Sequence, residues 1–598
     1  MTRPRQTVLG ALSALLLAAC SSLGHGGPTN ACESDDDCTS GRCESALGMC
    51  VTEPRSAMTV ALEVVPSTDP VYGGVVPAFG FAPFELEDST EQSLGVRPGI
   101  PTVARVTHYG EPVAAEVTFR TESPIPGASA VALASQARGE FSTEADGFEL
   151  NLTTQLLPDR TYDITVRPTG SWASQLPPLK AAYTSPADGR HRFEIVYPER
   201  CAAEVLRDPE STETGCLASI QGVVVDGTGE PQDGLVVRMV DPVSGRTLSS
   251  SHTTGSDELE AGRFEVVFPV EYWRDQESWL FRVTPSAERS TERGPSQTFT
   301  VAPSALYEED GLVTIRTPEV AELVTYAGWV EAADAGAGTT AARRATLEFH
   351  SRDVVDDTTG AVGFFRTTAT TDDDGRFEVQ LLAGTYDIII TPSQSEPSQA
   401  ALGVLREERT ISPERPDGIG PTEAIPVMGQ LFQLPRRAEF GGSVRTADGV
   451  GMIDATVRAN ARGTDLSGEL PPVARYARTN MSLTDMSGLF RLDLDVGVYD
   501  VVIKPPAMSN YPWLVIPDQA IASDAALTQM YELENPVTVS GSAFFDVGED
   551  DLPVANGEIR AYAILEGRDG STRAVQIGRT STDADGHYTL LLPPSIQR

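Results

Sequence analysis

The chain is almost without lysine. Lys180 and Lys504 are the only two in 598 residues, so arginine supplies nearly all of the 45 basic side chains. Against them stand 85 aspartates and glutamates, for a formal net charge of −40. A polyanion of this kind has no basic face for nucleic acid or for an anionic lipid surface, which excludes a nucleic-acid partner. Histidine is scarce as well. His25, His108, His191, His252, His350 and His587 fall singly, with no H-E-x-x-H and no paired metal-ligand spacing. No G-x-S-x-G elbow, Walker loop or G-x-G-x-x-G helix entry occurs, so no catalytic residue is assigned and no enzymatic activity is expected. Long stretches of helical period are missing too. What remains is short β-branched and aromatic runs punctuated by 53 glycines and 43 prolines, the pattern of an all-β protein.

Only the N-terminus holds a long apolar run. Arg3 and Arg5 precede Val8–Ala19, and Cys20 follows. That is a positive leader, an apolar segment too short to span a bilayer permanently, and a small-residue cleavage site. Leu17-Ala18-Ala19-Cys20 resembles a bacterial lipobox, which implies a signal peptide over 1–19 and acylation of Cys20. The rival readings are an ordinary cleaved signal or a signal anchor. Cysteine arithmetic favours the lipid: seven cysteines less Cys20 leave six, an even number for an exported protein. Several acyl chains on one residue anchor stably where one would be marginal. Ser21 follows, where an aspartate would resemble an inner-membrane retention signal, so the expected location is the outer membrane. Loss of Arg3 and Arg5 with the signal takes the formal charge from −40 to −42.

Cys32, Cys38, Cys43 and Cys50 lie in a Gly/Ser/Asp-rich stretch with almost no hydrophobic material, within a tether spanning 20–56. In an oxidising compartment they predict a tiny module stapled by two disulfides, in any of three pairings. Zinc is the alternative, without the C-x-x-C pair that would favour it. Cys201 and Cys216 are expected to form a third bridge, closing a loop of about 15 residues worth roughly 3 kcal/mol in the chain-entropy model.

The body of the chain repeats. In Thr370–Pro392, a turn at Asp373-Asp374-Gly375 leads into alternating Phe377, Val379 and Leu381, and after Gly384 into Tyr386, Ile388 and Ile390. This strand-turn-strand unit cannot bury its apolar face alone. Its landmark glycines, Gly147, Gly262, Gly375, Gly488 and Gly586, stand 115, 113, 113 and 98 residues apart. A period of this kind means an array of similar domains. Each copy opens with a hairpin of its own, and two sheets packed face to face are the economical way to bury such strands.

The order G-x-V, a D-G turn, a returning A-x-V strand, T-x-D-x-D-G-x-[FY]-x-[LV], then G-x-Y-D-[IV]-x-[IV]-x-P resembles the carboxypeptidase regulatory-like domain. The resemblance implies transthyretin-like β-sandwiches. Residues 323–392 and 438–506 carry it most closely, 101–168 and 218–285 more loosely, and 537–598 only in its front half. The expected organisation is tandem Greek-key, immunoglobulin-like sandwiches in a multi-domain array, preceded by the disulfide-rich module. The lead-in strand and sandwich 1 take 57–185, a connector and sandwich 2 take 186–302, sandwich 3 takes 303–400, sandwich 4 takes 401–515, and an incomplete sandwich 5 takes 516–598. In line, five such domains would reach on the order of 170 Å. Alternation over Arg192–Tyr197 predicts an extra strand in the segment between copies. Nothing after Leu592 supplies a Tyr-Asp strand, so the last copy is either shortened, or filled by an earlier segment, or open to a strand from a partner or a second copy. Ala57–Pro66 is strand-like and has no copy of its own.

Tyr162, Tyr386 and Tyr499 repeat one position and read as sandwich-core or corner tyrosines. Asp372, Asp374, Asp583 and Asp585 are the candidate calcium ligands, although as hairpin-turn residues they need no ligand. Two lysines cannot furnish a Lys–Asn cross-link to each of five domains. The functional expectation is a non-enzymatic lipoprotein, tethered to the membrane through its N-terminal lipid and acting in structure or adhesion on a protein or polysaccharide at the cell surface. The alternative is a carbohydrate-binding or polysaccharide-handling accessory, which would need the scattered Trp172, Trp273, Trp279, Trp329 and Trp513 to share an exposed face.

Overall fold

An apolar strand face is stable only under a second sheet, and the chain meets this requirement five times. The computed structural model describes residues 29–596 apart from 70, 72, 74, 127–130, 138–148, 152–154, 203–204, 207–212, 242–244, 257–259, 275–278, 287–296, 302–311, 318–322, 333–339, 356–361, 364–365, 412–424, 463–469, 524–528, 549–550 and 567–570. Cys20, His25, Gly147 and the lipobox lie outside the described residues. Five hydrophobic cores are present, each between the two sheets of one sandwich.

The fourth sandwich shows the pattern in full. Its seven strands are Ala438–Thr446, Thr456–Ala461, Asn480–Leu483, Leu489–Leu494, Gly497–Lys504, Leu514–Ile521 and Met530–Leu533. One sheet runs third–second–fifth–sixth and the other fourth–first–seventh. The seventh strand is parallel to the first, and the remaining pairs are antiparallel. Phe440, Val457, Phe490, Tyr499 and Val501 face inward between the sheets. The first three sandwiches repeat this order, starting at Thr102–His108, Leu217–Val225 and Leu323–Ala332. The strand expected near Arg192 is His191–Val196, the seventh of the first sandwich, parallel to Thr102–His108. The segments between repeat motifs are therefore not connectors, because they carry sixth and seventh strands such as Leu405–Ile411 and Ile425–Leu434.

The fifth sandwich ends the chain with four strands: Val537–Phe545, Glu558–Glu566, Thr572–Ser581 and His587–Leu592. Its other three come from the opposite end. Met58–Val65 takes the fifth position, antiparallel to Glu558–Glu566, with Val60 opposite Ala563 and Val64 opposite Ile559. Phe79–Gly80 and Phe84–Leu86 pair with its outer edge as the sixth. Thr90–Glu91 and Leu94–Val96 lie parallel to Val537–Phe545 as the seventh. Grouping the lead-in strand with sandwich 1 is thus corrected. Pairing follows the unfilled apolar sheet rather than proximity in the chain. Val60, Leu62, Val64, Leu86, Leu94 and Val96 are each 3% exposed or less. Burying six such side chains contributes on the order of 10 kcal/mol before entropy is counted.

This pairing also corrects the in-line array, because it makes the first and fifth sandwiches direct neighbours. The Gly99 amide, at the entrance to the first sandwich, donates to Asp69 Oδ2 at 2.9 Å. Gln155 donates through its backbone to the Val75 carbonyl at 3.1 Å and through Nε2 to the Gly73 carbonyl at 2.5 Å. Leu217 and Val267 of the second sandwich complete the core of the first. Strand Gln297–Val301 of the second runs beside Val362–Gly363 of the third. Arginine–carboxylate clusters join the third to the fourth and the fourth to the fifth. The contacts form a closed cycle of five.

The fragment 537–598 alone is expected to lack cooperative melting by circular dichroism, and to gain it when 57–96 is added in trans. In the full chain, Leu62→Ala should lower the stability of the fifth sandwich by about 2–5 kcal/mol. A fragment 537–598 that folds unaided would show that the N-terminal strands are dispensable.

Candidate functional site

The repeated motif builds a five-residue turn. In the third, fourth and fifth sandwiches it starts at Asp372, Asp485 and Asp583, whose amides donate to the carbonyls of Arg376, Leu489 and His587 at 2.8–2.9 Å. One carboxylate oxygen of each aspartate accepts two amides from its own turn: Asp374 and Arg376, Ser487 and Leu489, Asp585 and His587, all at 2.8–2.9 Å. The landmark glycines follow, at φ +75°, +76° and +79° for Gly375, Gly488 and Gly586. A Cβ there would lie 2.7, 2.4 and 2.4 Å from the carbonyl oxygens of Val330, Val444 and Ala543, so only glycine fits. The same glycines cap the first strand, accepting the amides of those three residues at 2.8 Å. Asp372 and Asp583 thus act as turn caps in separate sandwiches, with Asp374 and Asp585 contributing backbone amides. The calcium reading gains no support from this arrangement.

A buried threonine just ahead of the aspartate escaped the sequence reading. Thr371 and Thr484 donate to the carbonyls of Ala342 and Met452 at 2.5 and 2.6 Å, and both accept an amide at 2.8 Å, from Ala345 and Ala455 respectively. Thr582 repeats both bonds with the Val554 carbonyl and the Gly557 amide. Its recurrence beside the aspartate was the available signal. Tyr162, Tyr386 and Tyr499 are fully buried. Tyr386 and Tyr499 donate to the carbonyls of Leu382 and Asp495 at 2.7 and 2.8 Å, and Tyr162 Oη accepts the Leu157 amide at 2.7 Å. They are corner tyrosines, and burial pushes the Tyr162 hydroxyl up to about 12.

The described histidines do not converge. His108 and His191 belong to the first sandwich, His252 to the second, His350 to the third and His587 to the fifth. His108 sits among Tyr109, Trp172 and Tyr197. His191 stacks on Tyr183 at 5.6 Å. His350 Nε2 lies 3.2 Å from Glu348. Burial, aided by Arg200 and Arg366 respectively, holds His108 and His350 below the ordinary histidine value. The described tryptophan side chains do not share a face. Trp279 is buried, Trp329 is 41% exposed, Trp172 packs against the first core, and Trp513 lies under the Lys504 ammonium at 3.8 Å. Nothing is described of the Trp273 side chain.

The cysteines pair as Cys32–Cys43, Cys38–Cys50 and Cys201–Cys216. The sulfurs of Cys32, Cys38 and Cys50 cluster because two disulfides sit side by side, which leaves no thiolate there for zinc. The module docks on the seam between the fourth and fifth sandwiches. The Thr52 amide donates to the Pro536 carbonyl at 2.9 Å, and Asn535 Nδ2 donates to the Ser40 carbonyl. Cys201–Cys216 ties the first sandwich to the second, with the Cys201 amide on the Leu217 carbonyl at 2.8 Å.

The most concentrated charge lies between the third and fourth sandwiches. Asp495, 4% exposed, receives Arg478 Nε at 2.8 Å and Arg437 Nη2 at 3.0 Å. Its Oδ1 also accepts the Val404 amide at 3.2 Å, across the joint. Arg478 continues to the carbonyls of Pro392 and Leu402 at 3.2 and 2.5 Å. Burial alone would raise the Asp495 pKa, but the two guanidiniums outweigh it and hold the carboxyl below its usual range. Between the fourth and fifth sandwiches, Arg573 spans Asp500 at 2.7 Å and Asp518 at 3.0 Å, while Val502 and Val515 enter the fifth core. The most buried ionic cluster among the described residues thus lies at a joint, while others, such as Arg406 with Asp387, lie within a sandwich.

No family model matches the chain, and no curated protein matches it. Among solved structures it is similar to the Bacillus anthracis TIE protein, at 10% identity over 80% of this chain and 69% of that one, TM-score 0.16. A streptococcal ancillary pilin is similar at 13% identity over 53% of this chain and 99% of that one, TM-score 0.21. Two B repeat units of the Staphylococcus aureus collagen binding protein are similar at 8% identity over 73% of this chain and 100% of that one, TM-score 0.11. Scores this low carry no argument about arrangement or function. The class of the protein, all-β with tandem immunoglobulin-like sandwiches behind a disulfide module, follows from its own sheets.

Asp495→Ala leaves two buried guanidiniums unpaired and should cost about 3–5 kcal/mol in denaturant unfolding of the third–fourth pair. A carboxylate whose folded pKa is depressed stabilises the fold above its unfolded value of about 3.9. That stability is lost as pH falls through the lower folded value. Acid unfolding of the joint should therefore set in below about pH 4 and become less steep in Asp495→Asn. Equal acid sensitivity in that variant would remove Asp495 from the account.

Proposed function

We propose that the chain is a non-enzymatic lipoprotein of the bacterial outer membrane, anchored through acylated Cys20, in which carboxypeptidase regulatory-like sandwiches form a rigid structural or adhesive scaffold. The observation that carries this reading is where the polar groups go. The repeated aspartates cap turns, the repeated tyrosines and threonines bond backbone, and the most buried Arg–Asp cluster among the described residues sits at a joint. A chain that sets its most buried ionic cluster between two domains is built to keep a shape. The lipobox resemblance and the even number of remaining cysteines support export and anchoring. A carbohydrate-handling role would draw on clustered exposed aromatics, and the described tryptophans do not form such a face.

Two measurements test the reading. Cys20→Ser should move the protein from the membrane to the soluble fraction and abolish fatty-acid labelling, whereas persisting label would place the acyl group elsewhere. The purified ectodomain should show no esterase, protease or glycosidase turnover above buffer. Turnover that survives repurification and disappears on changing His191, His350 or His587 would make the protein an enzyme.

A further inference from the structure

One end of the fourth sandwich carries apolar side chains at turn positions where the third and fifth copies carry polar or small ones. In the Gly488 turn, Met486 occupies the place of Asp373 and Ala584, and Leu489 that of Arg376 and His587. Met486 is 78% exposed and Leu489 47%. Leu489 shares a cross-strand row with Ser443 and Met530, and Met530 is 61% exposed. The neighbouring hairpin turn brings in Val450, because the Gly451 backbone lies against Ser487 and Gly488. Single exposed apolar residues are ordinary, but a contiguous group of them marks a contact surface. The turn itself does not need Met486 and Leu489, since the third and fifth turns form with Asp373 and Arg376, or Ala584 and His587, in those places.

Asn30, at the start of the described chain, is held at this same end. The Asn30 amide donates to the Ser509 carbonyl at 2.8 Å, and Asn30 Nδ2 to the Asn510 carbonyl at 3.4 Å. Beside them Met508 is 87% exposed. The Thr39 hydroxyl of the disulfide module donates to Asp448 in the hairpin turn next to Val450. Cys20 stands ten residues before Asn30, a span of at most about 35 Å even when fully extended.

We propose that this end of the fourth sandwich, through Val450, Met486, Leu489, Met508 and Met530, lies on the lipid bilayer and dips its side chains into the interfacial layer beside the anchor. The proposal rests on acylation of Cys20 for the anchor and on the exposed cluster for the face. Attraction to anionic lipid is not the driving force, because the chain is a polyanion. Burial of apolar area is, and it supplies the second membrane contact that steadies a lipidated protein. Two acidic groups at this end are turned to other partners: Asp485 accepts the amides of Ser487 and Leu489, and Asp448 accepts Thr39. Orientation follows. The fourth and fifth sandwiches lie nearest the membrane, and the first and second, on the far side of the cycle from the fourth, are carried outward where a surface partner would meet them.

The test uses the full lipidated chain in phosphatidylcholine nanodiscs, with methionine methyl groups labelled with carbon-13 and a doxyl-labelled phosphatidylcholine as the relaxation probe. The methyl signals of Met486, Met508 and Met530 should lose most of their intensity. Met428, equally exposed at 61% but on the third sandwich, should keep its own. Mass spectrometry of the N-terminal peptide reads acylation independently. With Cys20 acylated, the absence of broadening, or equal broadening of Met428, would overturn the proposed face. If Cys20 carries no acyl group and the same three methyls broaden when the chain is mixed with nanodiscs, the face stands and the anchor reading falls.

Discussion

Glu63 and Arg560 lie 497 residues apart and meet across adjacent strands, with 3.2 Å between the carboxylate and the guanidinium. The rest of the architecture depends on that pairing. A sheet of Glu558–Glu566 and Thr572–Ser581 alone would expose one long unpaired edge and an apolar face. The strand Met58–Val65 supplies the missing backbone partners and the missing side chains together. Because only Arg97–Gly99 separate its last companion strand from Ile100, filling the fifth sandwich places the first against it. Closure of the cycle is therefore a consequence of completing one hydrophobic core.

The joints make use of arginine's geometry. A planar guanidinium can meet a carboxylate through two nitrogens and still reach a backbone carbonyl, which a lysine ammonium does less well. Arg478 does this between Asp495 and the carbonyls of the third sandwich, while Arg352 and Arg406 converge on Asp387 within it. Cations are scarce in so acidic a chain, and these fix strands within a sandwich as well as one sandwich against the next. Lys504, by contrast, rests on the Trp513 ring at the margin of the fifth core.

The fold was largely legible from local pattern. Period-two alternation located the strands, and the recurrence of Gly262, Gly375, Gly488 and Gly586 located the repeats, because a positive φ tight against a carbonyl tolerates no other residue. The corner tyrosines were visible for a similar reason: each bonds backbone four or five residues upstream. The joints were not legible. Asp495 looks like any strand-end aspartate until Arg437 and Arg478, 58 and 17 residues distant, are folded onto it.

By itself, then, the sequence determined the all-β class, the repeat, the turn chemistry and the separation of Cys20 from an even set of cysteines, all of which rest on neighbours a few residues apart or on counting. Only the tertiary structure decided which core the lead-in strand enters, how Cys32, Cys38, Cys43 and Cys50 pair, and where Asn30 is held. Alternation says that a strand has an apolar face but not which sheet covers it. That choice belongs to the sheet of the fifth sandwich, which lacks its fifth strand until Met58–Val65 supplies it.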